Sequence, residues 1–257
     1  MIAPLYALAG ALVGALVGLT GVGGGSLMTP LLVLAFGFHP ATAVGTDLLF
    51  ATATKTAGTG VHGPRGTVDW RVVRLLASGS LPACALTLLA LQASGIDATA
   101  TSHLITVTLG AVLILTGVAT LFRARLLAWA RPRLGEVSER RTARLTIALG
   151  LVLGTLVTLT SVGAGALGMT ALVVLYPRLP VARLVGSDIA HAVPLTLLAG
   201  LGHLAMGSVD AALLLSLLCG SVPGVLVGSW LATRAPDRVL GPVLAVVLAL
   251  AGWRLLA

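Results

Sequence analysis

The 257-residue chain is 57% apolar and only 9% charged, with a mean hydropathy of +1.06. A soluble domain carries about 25% charged residues, so this chain cannot cover itself with water-facing groups and lipid must solvate much of its surface. The formal charge of +8 does not point to nucleic acid: seven arginines (Arg123, Arg125, Arg131, Arg133, Arg140, Arg141 and Arg144) crowd one stretch between two apolar blocks, without the aromatic interleaving that single strands need.

Taken in order, the first apolar segment covers residues 3–19. It lacks a basic leader and runs straight into glycines and further apolar chain, so it is expected to be a membrane helix and not a signal peptide. Gly21-Val22-Gly23-Gly24-Gly25 follows, then a short segment over 26–37, then segments over 42–60, 70–93 and 100–122. The arginine-rich linker, 123–144, separates these from segments over 145–160, 166–176, 181–202, 210–232 and 239–256. The expected division is a first transmembrane half over 1–122, a basic linker over 123–144 and a second half over 145–257. The fold class is all-α and integral to the membrane. Cys84 and Cys219 lie inside apolar segments with no partner at metal-ligand spacing, so they read as small core residues and no metal or cofactor is expected.

The chain repeats itself. Gly45-Thr46-Asp47 falls on Gly186-Ser187-Asp188 at an offset of 141, and His62, Gly66, Val68 and Asp69 then fall on His203, Gly207, Val209 and Asp210. Gly79-Ser80-Leu81-Pro82 falls on Gly220-Ser221-Val222-Pro223. At an offset of 140, Thr20, Val22, Gly23, Gly25, Leu27 and Pro40 fall on Thr160, Val162, Gly163, Gly165, Leu167 and Pro180. An odd number of crossings per half requires the halves to run in opposite senses, as in an inverted repeat. Charge agrees: the loop at Arg65, Arg71 and Arg74 is basic while its counterpart, His203 to Asp210, lacks Lys and Arg. With the linker cytoplasmic, both termini fall outside.

The second segment of each half is near 11 residues long, where a spanning helix needs about 20. Each follows a glycine break, Gly23-Gly24-Gly25-Ser26 in one half and Gly163-Ala164-Gly165 in the other. Short, glycine-interrupted segments in corresponding places point to a transporter's binding site. Unwound backbone exposes N–H and C=O groups, and a helix beginning just after it aims its positive end forward, which suits an anion. Close packing through small residues is the competing reading.

Asp47 and Asp188, with Thr46 and Ser187 before them, stand at the front of apolar segments. They are candidates for carrying a coupling proton or for capping their helices. Lys55, the one lysine in the chain, lies deep in an apolar segment; it could attract an anion, neutralise Asp47 or Asp188, or snorkel to the interface. His62 and His203, at equivalent loop positions, and His191 are candidates for proton relay or for structural hydrogen bonds. Asp69 and Asp210 read as helix starts, and Pro82 and Pro223 as kinks.

Gly21 to Gly25, Ala43-Val44-Gly45-Thr46-Asp47 and His62 with Gly66-Thr67-Val68-Asp69-Trp70 together resemble the sulfite exporter TauE/SafE family of membrane permeases. Val185 to Ala192 and Gly220 to Gly224 resemble the family's second half. The resemblance covers nearly the whole chain. It implies a secondary transporter for sulfite, sulfonates or related small organic anions in a cell inner membrane, with the glycine and Gly-Thr-Asp positions lining the pore. Ala164 and Ala166 depart from the first half's Gly24 and Ser26, which breaks strict equivalence of the two breaks. The expected function is therefore an anion permease, possible proton coupling included, and not an enzyme; an uncoupled anion channel is the rival, and an intramembrane enzyme or a membrane scaffold stands further off. The expected partners are the anion and anionic headgroups at the linker, with no nucleic acid; a homo-oligomer is compatible with the sequence.

Overall fold

The computed structural model describes residues 3–20, 25–62, 67–93, 98–122, 125, 138–232 and 237–257. These form helices α1 (Pro4–Thr20), α2 (Gly25–Leu34), α3 (Pro40–His62), α4 (Trp70–Ala93), α5 (Ala98–Leu121), α6 (Glu139–Thr160), α7 (Ala166–Leu175), α8 (Val181–Ala205), α9 (Ala211–Ala232) and α10 (Asp237–Leu256), with no strand among the described residues. Helix is the fold that satisfies every backbone group inside one segment, as a lipid environment requires. Five of the helices are long and apolar enough to cross a membrane. Their surfaces carry exposed Leu86, Leu115, Leu204 and Leu226, which suits lipid and not water.

The many hydroxyls in these apolar helices are mostly satisfied by their own helix. Thr87 donates to the Ala83 carbonyl, Thr116 to Val112 and Thr170 to Ala166, all at 2.7 Å. Such i−4 bonds let Ser and Thr sit in lipid-facing helices without orphaned groups.

α2 and α7 are ten residues each, about 15 Å long and half of a bilayer core of about 30 Å. Asp69 and Asp210 start α4 and α9 as expected: Asp69 Oδ1 accepts the Arg71 and Val72 amides at 3.0 and 3.3 Å, and Asp210 Oδ1 accepts the Leu213 amide at 2.9 Å. Pro82 and Pro223 lie inside α4 and α9. Three expectations need revision. α6 begins at Glu139, ahead of the apolar stretch, because its first turns carry Arg140, Arg141 and Arg144. Asp47 and Asp188 are each the eighth residue of their helix and cap nothing. His62 and His203 belong to the last turns of α3 and α8, not to loops.

The packing repeats when the halves are exchanged. α1 packs along α9 as α6 packs along α4, while α3 pairs with α8 and α5 with α10. Gly150 and Gly154 lie against the backbone of Leu76 and Ser80, and Gly10 and Gly14 lie against Leu217 and Ser221 in the same way. Small residues let these helix axes approach closely where apolar burial gives no drive. α3 and α8 run antiparallel: Gly45 abuts His203, Leu49 abuts Gly200, and Thr52 Oγ1 donates to Thr196 Oγ1 at 2.9 Å. Between them Val44, Leu48, Ala192, Leu195 and Ala199 form a buried core.

Candidate functional site around Lys55

The break between α6 and α7 is a tight buried turn. Ser161 ends α6 in the left-handed conformation, φ 58° and ψ 0°, with its amide donating to the Val157 carbonyl at 2.8 Å. Gly163 follows at φ +123°, which only glycine adopts at low cost. The Gly163 carbonyl accepts the amides of Gly165 and Gly168, both at 3.0 Å, and Thr160 Oγ1 accepts the Val162 amide at 3.1 Å. These bonds turn the Ala164 carbonyl toward α3, where Lys55 Nζ donates to it at 2.8 Å. Lys55 therefore reaches across to the second half's glycine break and does not snorkel. An ammonium has three donors, so this bond leaves two for other partners.

Two carboxylates flank the lysine. Asp47 lies on α3, eight residues before Lys55 and about 12 Å away along the axis. It is fully buried, and Thr29 of α2 donates its hydroxyl to Asp47 Oδ2. Asp188, on α8, turns its Oδ1 against the first turn of α7, where a Cβ added to Gly168 would lie 2.8 Å from it. That turn presents the positive end of the helix. Lys55 attracts both carboxylates, although no ion pair within 4.0 Å joins them among the described residues. With all three groups ionised, one negative charge is uncompensated.

Ser161 faces Asp47 from the break, without closing a hydrogen bond of ordinary geometry. Asp47 Oδ1, Ser161 Oγ and Asp188 Oδ1 are thus buried polar atoms without a hydrogen-bond partner. His191 is nearby, held by a 2.8 Å bond between its Nε2 and Ser80 Oγ of α4. His203 Nε2 donates to the Thr158 carbonyl at 2.9 Å. Each ring keeps an unpartnered Nδ1.

The other expected site residues divide. Gly165 precedes α7 and Gly163 lies in the turn. Ser26 is buried in the first turn of α2, behind Gly25. The hydroxyls of Thr46 and Ser187 are engaged elsewhere, accepting the backbone amides of Asp210 at 3.1 Å and Asp69 at 2.8 Å. Gly23 and Gly24 lie outside the described residues, as does the side chain of His62. Sequence reasoning did not single out Thr29, Ser161, Thr158 or Gly168. For Ser80 a signal existed in the repeated Gly-Ser-x-Pro, and for Thr29 in the Met-Thr pair that recurs as Met169-Thr170; for Ser161 there was none, because its repeat position holds Gly21.

A separate cavity of about 200 Å³ opens among Arg71, Glu139, Tyr176 and Arg178. It contains none of the expected site residues, and the buried ionic cluster carries the chemistry better than this wet recess. Among the described residues no group of three His, Cys, Asp or Glu could hold a metal ion.

The family model for the sulfite exporter TauE/SafE matches residues 6–255. A Bacillus subtilis protein named "Probable membrane transporter protein YjnA" is 39% identical over 250 residues, 97% of this chain and 98% of that protein. A second from the same organism, "Probable membrane transporter protein YdhB", is 27% identical over 95% of this chain and 96% of its own length. A "Probable membrane transporter protein" of Xylella fastidiosa is 28% identical over 95% of this chain and 93% of its own length. No solved structure matches the chain. A helical bundle with two half-length helices, a buried ionic cluster between its halves and full-length relatives named as transporters lead to one conclusion: the chain belongs to the sulfite exporter TauE/SafE family and is a membrane transporter.

Proposed function

We propose that this transporter is a secondary permease for a small anion, of the sulfite, sulfonate or related organic-anion class, in a bacterial-type inner membrane. The carrying observation is the Lys55 bond to Ala164, which sets the one lysine at the glycine break and beside the N-terminal turn of α7. An ammonium and a helix N-terminus together make an attractive place for an anion. The antiparallel course of α3 and α8 supports a reading in which the halves are inverted and exchange conformations to open alternate faces. The basic linker then faces the cytoplasm and its anionic headgroups.

Charge balance supports proton coupling. Two carboxylates and one ammonium leave the cluster at minus one when ionised, and adding an anion to a buried negative site is costly. Uptake of a proton on a carboxylate removes that cost. The test is uptake of sulfite and simple alkanesulfonates into proteoliposomes. The expected result is saturable flux with counterflow, reduced at least about tenfold by Lys55→Ala. Flux without counterflow would make the protein a channel, and full activity in Lys55→Ala would remove the lysine from the site.

A further inference from the structure

Resting on that reading, we infer that the two carboxylates have different roles: Asp47 carries the coupling proton with Ser161 as its positioning residue, while Asp188 remains the fixed counter-ion of Lys55. Ser161 is the one non-glycine at positive φ among the described residues, a conformation that costs an L side chain energy and glycine none. Its counterpart in the first half, at the offset of 140, is Gly21. The second half thus keeps a side chain at a position where the repeat has glycine. That side chain is only 7% exposed, and its hydroxyl faces Asp47 with no other partner.

A hydroxyl is the group that can serve a carboxylate in both protonation states. It donates to an ionised oxygen, and after a rotation about its C–O bond it accepts from a protonated one. Thr29 serves the other oxygen, Oδ2, so a proton arriving on Oδ1 and later leaving to water breaks no bond but O–H and orphans no atom. Around Asp188 the arrangement differs. The position matching Ser161 is Gly21, and Thr29 recurs as Thr170 at an offset of 141, but the Thr170 hydroxyl is turned back on its own helix, donating to the Ala166 carbonyl at 2.7 Å. Asp188 has instead the first turn of α7 against its Oδ1, a helix N-terminus that favours an ionised carboxylate.

The groups around Asp47 leave it as the odd charge. Lys55 on its own helix acts on it directly. From α8 come Asp188 and His191 near Lys55, and His203, whose Cβ abuts Gly45; Arg183 of α8 is exposed. α2 has no ionisable side chain, while His103 of α5 and Cys219 of α9 are exposed. Protonating Asp47 brings the Asp47–Lys55–Asp188 set to neutrality, after which an anion can enter beside Lys55. The proton binds first.

The test uses the full chain in lipid, in two arms. Infrared difference spectra across a pH titration, without substrate, should show a carboxylic acid band that vanishes in Asp47→Asn and survives in Asp188→Asn. In Ser161→Gly, which relieves the backbone and so folds, the band should move to higher frequency as its hydrogen bond is lost. In the second arm, methanesulfonate flux in Ser161→Gly should keep counterflow exchange but lose its stimulation by an inward proton gradient, by about tenfold. A band that survives Asp47→Asn, or a Ser161→Gly protein with wild-type band and stimulation, overturns the assignment. The expected bands in a protein that moves no anion uphold Asp47 and overturn the anion-permease reading instead. The Ser161→Gly arm decides even where an aspartate replacement fails to insert.

Discussion

The Asp210 amide donates to the Thr46 hydroxyl at 3.1 Å, and the Asp69 amide donates to the Ser187 hydroxyl at 2.8 Å, so one bond is made twice at an offset of 141. Each ties the residue preceding one long helix, α9 or α4, to the front of a core helix of the other half. Replacing Thr46 or Ser187 by alanine leaves a backbone amide without its acceptor. Thermal unfolding in detergent should show each alanine variant destabilised by about 1 kcal/mol. The swaps Thr46→Ser and Ser187→Thr should restore most of it, since either hydroxyl can accept. Loss at one position only would mean that the two ties are not equivalent.

The glycine contacts make a sharper stability prediction. A Cβ on Gly154 would lie 2.8 Å from the Ser80 Cα, and one on Gly14 would lie 2.9 Å from the Ser221 Cα. Backbone cannot move aside as a side chain can, so Gly154→Val and Gly14→Val should each cost about 1–3 kcal/mol or more by overpacking. Gly241 is the control, with open space around it and no positive φ. Gly241→Ala in α10 should be neutral or stabilise by about 0.4–1 kcal/mol, through the unfolded chain. Equal melting temperatures for all three variants would contradict this packing.

These cases show what was readable in the sequence. α4 matches its apolar stretch, 70–93, at both ends, because Asp69 marks its start and the long apolar run outweighs Arg71 and Arg74 in its first turns. α6 does not, since Arg140, Arg141 and Arg144 lower hydropathy while remaining good helix formers. The short segments were legible from length and glycine. Lys55 and the two aspartates stood out because ions are rare in apolar stretches. Of the two readings open for the aspartates, capping fails, since α3 and α8 start earlier, at Pro40 and Val181. Ser161 was not legible at all, and Thr29 only as half of a Met-Thr pair that recurs at Met169-Thr170. A hydroxyl in an apolar helix usually bonds its own turn, as Thr170 does, and only tertiary contact separates Thr29 from that majority.

Lys55 separates a structural charge from a functional one. Lys55→Met keeps the length of the stem but leaves Asp188 and Asp47 without their cation, and removing one partner of a buried ionic set is destabilising by about 3–5 kcal/mol. Adding Asp188→Asn removes one of the two stranded charges. The double variant should therefore regain stability, with a coupling energy of about 0.5–3 kcal/mol in a double-mutant cycle. Transport should not return with it, because the anion has lost its ammonium. Recovery of both would make the pair a structural staple only.

The inversion of the halves can be tested by side of access. Ser187 and Asp69 are joined near the start of α4, whereas Thr46 and Asp210 are joined near the start of α9. Since α3 and α8 run antiparallel, these two joints fall at opposite ends of the core pair. Arg71, whose side chain is 62% exposed, and the exposed Ala211 report on the two ends. In a background with Cys84 and Cys219 replaced by alanine, Arg71→Cys and Ala211→Cys should react with an impermeant thiol reagent from opposite faces. The positive-inside rule assigns the cytoplasmic face to Arg71, with Ser138→Cys beside the basic linker labelling from that same side. Arg71→Cys and Ala211→Cys labelling from one face would mean parallel halves, and the alternating-access reading would lose its symmetry argument.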